Sequence, residues 1–170
     1  VQWEFVEPGK AIIPLGPAKS YDAGCIYAQA GAPAWHGDQL VLFYGGSEAV
    51  HRGWIRHCLL CRATLPKDGF AGFEPTETDQ PGVLTTKSLR CTGKPLGINA
   101  DPQGGSIRVA LLDDQGQVLD ESQPVTTQAT DLPVQWSGHT DLQTQEGNLV
   151  RLRFELNRAR LYSFTGMEMP

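Results

Sequence analysis

Near the C-terminus Val150, Leu152, Phe154 and Leu156 alternate with Arg151, Arg153, Glu155 and Asn157. Successive side chains of a strand point to opposite faces, so this run fits a sheet with one face buried and the other wet. Other short runs share its character: Gly82–Leu89, Ser106–Leu112, Gln117–Leu119, Pro133–Trp136 and Arg160–Phe164. Asp113-Asp114-Gln115-Gly116 reads as a hairpin turn between two of them. Trp136, in Val134-Gln135-Trp136, is expected in the core. Several short strands separated by turn signals predict a two-sheet antiparallel β-sandwich over residues 82–170.

The first half reads as strands as well. Val1-Gln2-Trp3-Glu4-Phe5-Val6 alternates, and Ala11-Ile12-Ile13-Pro14-Leu15 follows it. Asp22-Ala23-Gly24 turns into a strand at Cys25-Ile26-Tyr27-Ala28. Gln39–Tyr44 is a continuous apolar run, as in a strand buried on both faces, and Gly45-Gly46 is expected to end it. Ile55–Leu65 reads as the next strand, with Pro66-Lys67-Asp68-Gly69 as a hairpin turn and Phe70–Phe73 as the return. Three or four sequential antiparallel strands over residues 22–75 make one propeller-blade-like sheet, which cannot bury both faces alone. The acidic, proline-bearing stretch Glu74–Pro81 is the expected boundary, giving a segment 1–75 and a sandwich 82–170. The fold class is all-β, with no helix predicted. Only 19% of residues are charged, and 19 glycines and 12 prolines supply turns, which suits short strands better than long surface helices.

Charge and motifs exclude several functions. A net charge of −5 argues against nucleic acid as a partner. Arg151, Arg153, Arg158 and Arg160 are interrupted by Glu155 and read as a solvated strand face. No apolar run approaches the ~20 residues that cross a bilayer, so no membrane partner is expected. The chain opens on Val, which suggests a processed or partial chain. Cys58-x-x-Cys61 beside His57 lies in the predicted strand, where thiols three residues apart diverge. No second C-x-x-C completes a tetrahedral site. Buried free thiols are therefore expected, together with no metal and no cofactor; a disulfide between two of Cys25, Cys58, Cys61 and Cys91 stays open. Gly104-Gly105 has no following helix to form a phosphate loop, and Ser47 and His51 lack a G-x-S-x-G elbow.

Two stretches carry a family resemblance. Asp22-x-Gly24-x-x-Tyr27-Ala28 resembles the entry to the last blade in five-bladed propeller glycoside hydrolases of the family 32 and family 43 type. Four segments are similar to the C-terminal sandwich of family-32-like proteins: Gly105-x-Ile107-Arg108-Val109 through Asp113-x-x-Gly116, Val134-x-Trp136, Val150–Phe154 and Leu161-Tyr162-Ser163-Phe164. The Asp68-Gly69-Phe70 turn is similar too. The resemblance implies a last propeller blade followed by a C-terminal sandwich. In those families the catalytic carboxylates lie on earlier blades. Here there is no Asn-Asp-Pro-Asn, no Arg-Asp-Pro and no Glu-Cys. The resemblance thus implies that catalytic residues lie outside this chain, on an upstream propeller segment or a second chain.

Glycoside hydrolysis needs two carboxyls about 5–9.5 Å apart. Asp22, opening a strand where propeller inner strands line a funnel, is the best single candidate, as a sugar-hydroxyl acceptor or member of a catalytic centre. An Asx-type turn onto the backbone near Gly24 is the other reading. His51, in the loop after the double glycine, is a substrate contact or a solvated loop residue. Glu48 is a second carboxylate, read also as simply exposed. His57 is expected to be a packing or edge residue inside its strand; His36 and His139 sit in polar turns. Flat aromatic rings stack on the apolar faces of sugars, and Trp35 and Trp54 flank turns where they could do so. Tyr27 and Tyr44 are expected to fill core. The expected partner is carbohydrate. One hypothesis is the C-terminal portion of a glycoside-hydrolase-like protein. The alternative is a free-standing carbohydrate-binding or lectin-type sandwich without catalysis, whose first-half strands extend one sandwich sheet.

Overall fold

The computed structural model describes Glu4 and residues 8–28, 31–77 and 79–170. Apart from Glu4, the alternating run 1–6 lies outside the described residues. The chain forms two compact units, Val1–Phe70 and Ala71–Pro170. Both are built from antiparallel strands, with one short 3-10 turn at Leu142–Gln145.

The first unit holds β1 (Cys25–Tyr27), β2 (Ala34–His36), β3 (Gln39–Ser47) and β4 (Leu59–Pro66). Its spine is β3. On one side β4 pairs with it from Gln39↔Pro66 to Gly46↔Leu59. On the other, β1 occupies the Ser47 end and β2 the Gln39 end, as two pieces of one interrupted edge. The sheet is therefore three strands deep. Leu40, Val41, Tyr44 and Cys61 are its buried apolar residues, whereas Phe43, Leu59 and Leu60 stay exposed. The reading of β3 as buried on both faces holds at Leu40 and Val41, which point to opposite faces, but not at Phe43, which stays exposed.

Three further expectations change here. Gly45-Gly46 does not end β3, which runs on to Ser47. A Cβ on Gly46 would lie 2.8 Å from both Asp22 Cβ and Cys61 Sγ, so the residue is a gap in the sheet surface that neighbouring side chains fill. Residues 55–58 belong to a loop rather than to a strand, because β4 starts at Leu59. His57 accordingly does not pack inside a strand: it is exposed and pairs with Glu48. The Pro66–Gly69 turn closes with Gly69 N–H donating to Pro66 O at 2.9 Å. No return strand follows it, and Phe73 instead bridges Leu161 in the second unit.

The second unit contains β5 (Gly82–Thr85), β6 (Leu89–Cys91), β7 (Gly97–Asp101), β8 (Ser106–Asp113), β9 (Val118–Glu121), β10 (Ala129–Pro133), β11 (Leu149–Asn157), β12 (Arg160–Thr165) and β13 (Met167–Glu168). One sheet has the order β10-β7-β12, the other β13-β6-β11-β8-β9, with β5 also on β11. The alternating run is the centre of the larger sheet. Val150, Leu152, Phe154 and Leu156 face inward beside Ile107, Val109 and Leu111, and meet Ile98, Ala100 and Leu161 of the smaller sheet in one core. Each such aliphatic or aromatic side chain contributes about 1.5–3 kcal/mol on burial. Arg153 faces outward, 3.5 Å from Glu121. Two sheets sharing one apolar core make this unit a β-sandwich. Among the described residues no strand of the first unit joins either sandwich sheet.

The predicted strand Pro133–Trp136 is displaced to Ala129–Pro133, and Trp136 only bridges Ser122 while packing against the core. Asn99 on β7 explains the shift. Its buried side chain accepts from Asp131 N at 2.8 Å and donates to Ser163 Oγ at 2.8 Å. Those residues occupy the irregularities where β10 and β12 slip in register against β7. One amide thus satisfies a bulge on each flanking strand, as buried polar groups require. The predicted Asp113–Gly116 turn is present: Asp113 Oδ1 accepts from Gln115 N and Gln117 N at 2.9 and 2.8 Å.

Candidate functional site

The feature with the most built-in chemistry is the seat of Asp22. Gly24 N–H donates to Ser47 O at 2.9 Å, carrying the β1–β3 ladder one residue past Cys25. A Cβ on Gly24 would sit 2.3 Å from Ala49 C, so only glycine lets this turn lie flush on the Glu48–Ala49 backbone. The turn brings Asp22 over the bare backbone of Gly46 and against Gly16, where a Cβ would lie 2.0 Å from Asp22 Oδ1. Ser20 Oγ donates to Asp22 Oδ1 at 2.6 Å, and the Tyr44 hydroxyl donates to Oδ2 at 2.8 Å. The carboxylate therefore bonds two side-chain hydroxyls rather than the Gly24 backbone of the Asx-turn reading.

These two donors, Ser20 first and Tyr44 second, hold Asp22 below its ordinary pKa against a small opposing effect of desolvation. The reciprocal effect is larger: the Asp22 carboxylate, aided by desolvation, pushes the Tyr44 hydroxyl up to about 12. The pair at neutral pH is a fixed anion and a neutral phenol. A carboxylate oxygen accepts more than one hydrogen bond, so both oxygens keep capacity for a ligand. They face a cavity of about 660 Å³ whose lining includes Ser20, Tyr21, Asp22, Tyr44, Cys61 and Arg62. Tyr21 exposes its ring beside the carboxylate. Sequence reading passed over Tyr21, though an aromatic residue next to a strand-opening aspartate was its signal.

A second cluster shares this end of the sheet. Because Cys25 pairs with Ser47, the loop after Ser47 rises beside the Asp22 turn. The His51 ring meets Tyr27 edge-on at 5.7 Å, and the Arg56 guanidinium lies 5.8 Å over the Tyr27 ring. Arg56 also donates to His51 O. The Tyr27 hydroxyl is buried without a hydrogen-bond partner of good geometry. The neighbouring Cys25 thiol first, and desolvation second, push it above its ordinary pKa, with Arg56 opposing. Glu48 Oε1 and His57 Nδ1 are 2.8 Å apart, and this contact holds Glu48 below its usual range. Glu48 is thus already engaged by a partner.

The two clusters lie on different faces. Tyr27 is paired with Gly45, whereas Asp22 packs on Gly46, and adjacent strand residues face opposite ways. His51 does not line the Asp22 cavity. Trp54, in the same loop as His51, is fully exposed. Trp35 is exposed too, but it pairs with Leu40, about 20 Å along β3 from Gly46 at the usual rise per residue. Asp22 and Trp54 thus share a sheet end, and Trp35 stands apart from both.

All four cysteines are free thiols. A Cβ on Gly45 would lie 3.2 Å from Cys58 Sγ, and one on Gly46 would lie 2.8 Å from Cys61 Sγ, so the C-x-x-C thiols point to opposite faces. Among the described residues no group of three His, Cys, Asp or Glu side chains could hold a metal ion. No described helix is long and apolar enough to cross a membrane. Asp22 is the one carboxylate among the residues lining its cavity, and a glycosidase needs two. No protein-family model matches the chain, and no curated protein or solved structure matches it.

Proposed function

We propose that this chain is the C-terminal portion of a glycoside-hydrolase-like carbohydrate-active protein, in which Asp22 accepts hydrogen bonds from sugar hydroxyls and the main catalytic carboxylates lie outside residues 1–170. The observation that carries the reading is the seat of Asp22: an anion fixed by Ser20 and Tyr44 at the mouth of a strand, in space cleared by glycine. A depressed pKa suits a permanent acceptor and opposes a role as general acid, which needs a raised one. Tyr21 adds an exposed ring at the same cavity. Further support comes from the first unit, whose sheet has few buried apolar residues and exposes Leu59 and Leu60, as one blade awaiting its neighbours would.

Calorimetric titration with a panel of oligosaccharides tests this. Asp22→Asn keeps the shape and removes the charge; it should weaken sugar binding about tenfold or more, the range of hydrogen bonds to a charged group. Equal affinity in the variant, or no binding of any sugar by the parent chain, would overturn the reading.

A further inference from the structure

The loop between β3 and β4 has a composition that the Asp22 cavity does not explain. From Glu48 to Cys58 the loop carries Arg52 and Arg56 against one carboxylate, Glu48, although the whole chain has a net charge of −5. Glu48 is already engaged by His57. The loop is held in shape: Gly53 N–H donates to Val50 O at 2.8 Å, and Arg56 ties back to His51 O. This turn sets Trp54 fully exposed between the two arginines. Among the described residues the Arg52 guanidinium has no hydrogen bond or ion pair. An exposed flat ring two residues from each of two arginines, one of them without a partner, suits a ligand that has an apolar C–H face and an anionic substituent.

We infer that the Val50–Arg56 loop is a subsite for an acidic sugar, with Trp54 stacking on the ring and Arg52, assisted by Arg56, binding its carboxylate or sulfate group. The inference rests on the carbohydrate reading above and narrows its ligand class. This loop stands at the same end of the sheet as the Asp22 turn, but its Arg56–Tyr27 anchor lies on the opposite face, so it is a subsite separate from the Asp22 cavity. The cation and the ring do different work. Arg52 selects the anion, and Trp54 contributes to any sugar.

The test uses the full chain and three probes: a galacturonate hexamer, the same hexamer fully methyl-esterified and therefore neutral, and a sulfated hexasaccharide. The free acid should bind at least about fivefold tighter than the ester, as expected for one or two wet ion pairs, and added salt should erase the difference. Arg52→Gln should abolish the preference and leave ester binding intact, while Trp54→Ala should weaken both. Preference for the sulfated probe over both hexamers, lost in Arg52→Gln, supports the subsite and assigns sulfate as the anion. Equal binding of acid and ester overturns the acidic-sugar inference alone, since an Asp22-dependent affinity for the ester would leave the carbohydrate reading standing. Failure of all three probes to bind overturns both.

Discussion

Asp22 and Tyr44 act as a pair whose protonation states lock each other. Asp22, with its pKa held down, contributes stability above its unfolded value near 3.9, and this is lost as pH falls through the folded value. Tyr44 is shifted the other way. Its contribution is intact below 10 and is lost as pH rises from 10 toward about 12. A spectrophotometric titration of the chain's four tyrosines should show one ionising near 12, and Asp22→Asn should bring that one back toward 10. An unchanged alkaline titration in the variant would mean that the contact does not form in solution. At this scale the sequence was half legible. Asp22 stood out because it precedes a glycine at a strand entry. Its partners Ser20 and Tyr44 did not, since one is a common turn residue and the other reads as core; only the fold brings position 44 onto position 22. Glu48 and His57 were each visible, yet their pairing depends on residues 55–58 leaving the strand.

Among the elements, the alternating strand β11 and the turn at Asp113–Gly116 were plain in the sequence, because periodicity and turn chemistry are local. The strand β7 was not. Asn99 sits in its middle, and a buried amide that serves bulges on two neighbours looks polar when read alone. The pair Gly45-Gly46 misled for a related reason: glycine marks either a break or a close approach, and Asp22 with Cys61 makes it the latter. Gly24 is the sharpest case. Gly24→Ala places a methyl group against the Ala49 backbone and should destabilise the first unit by about 1–3 kcal/mol, the usual cost of overpacking. Because the Asp22 turn must then lift, the Tyr44 ionisation should fall as it does in Asp22→Asn. A stable variant with Tyr44 still near 12 would show that the turn is not pinned at Gly24.

The whole molecule is uneven in where its apolar surface goes. The continuous buried core belongs to the second unit, while Ile12, Leu15, Phe43, Trp54, Ile55 and Leu60 of the first are exposed. Native-state hydrogen exchange should therefore protect amides of β8 and β11 at least about a hundredfold more than those of β3 and β4. Equal protection would indicate a single cooperative unit. An unequal chain is what a sandwich joined to a lone blade-like sheet should give. The exposure of Phe43 could not be read from the sequence, because a run such as Gln39–Tyr44 reads the same whether or not a neighbour covers each residue. The most direct examination of the carbohydrate reading is an amide chemical-shift map of the labelled chain titrated with the oligosaccharide panel. Saturable shifts should gather at Gly16, Tyr21, Asp22, Gly24 and Gly46, and need at least about tenfold more sugar to saturate in Asp22→Asn. Shifts confined to the sandwich, or none with any sugar, would contradict it.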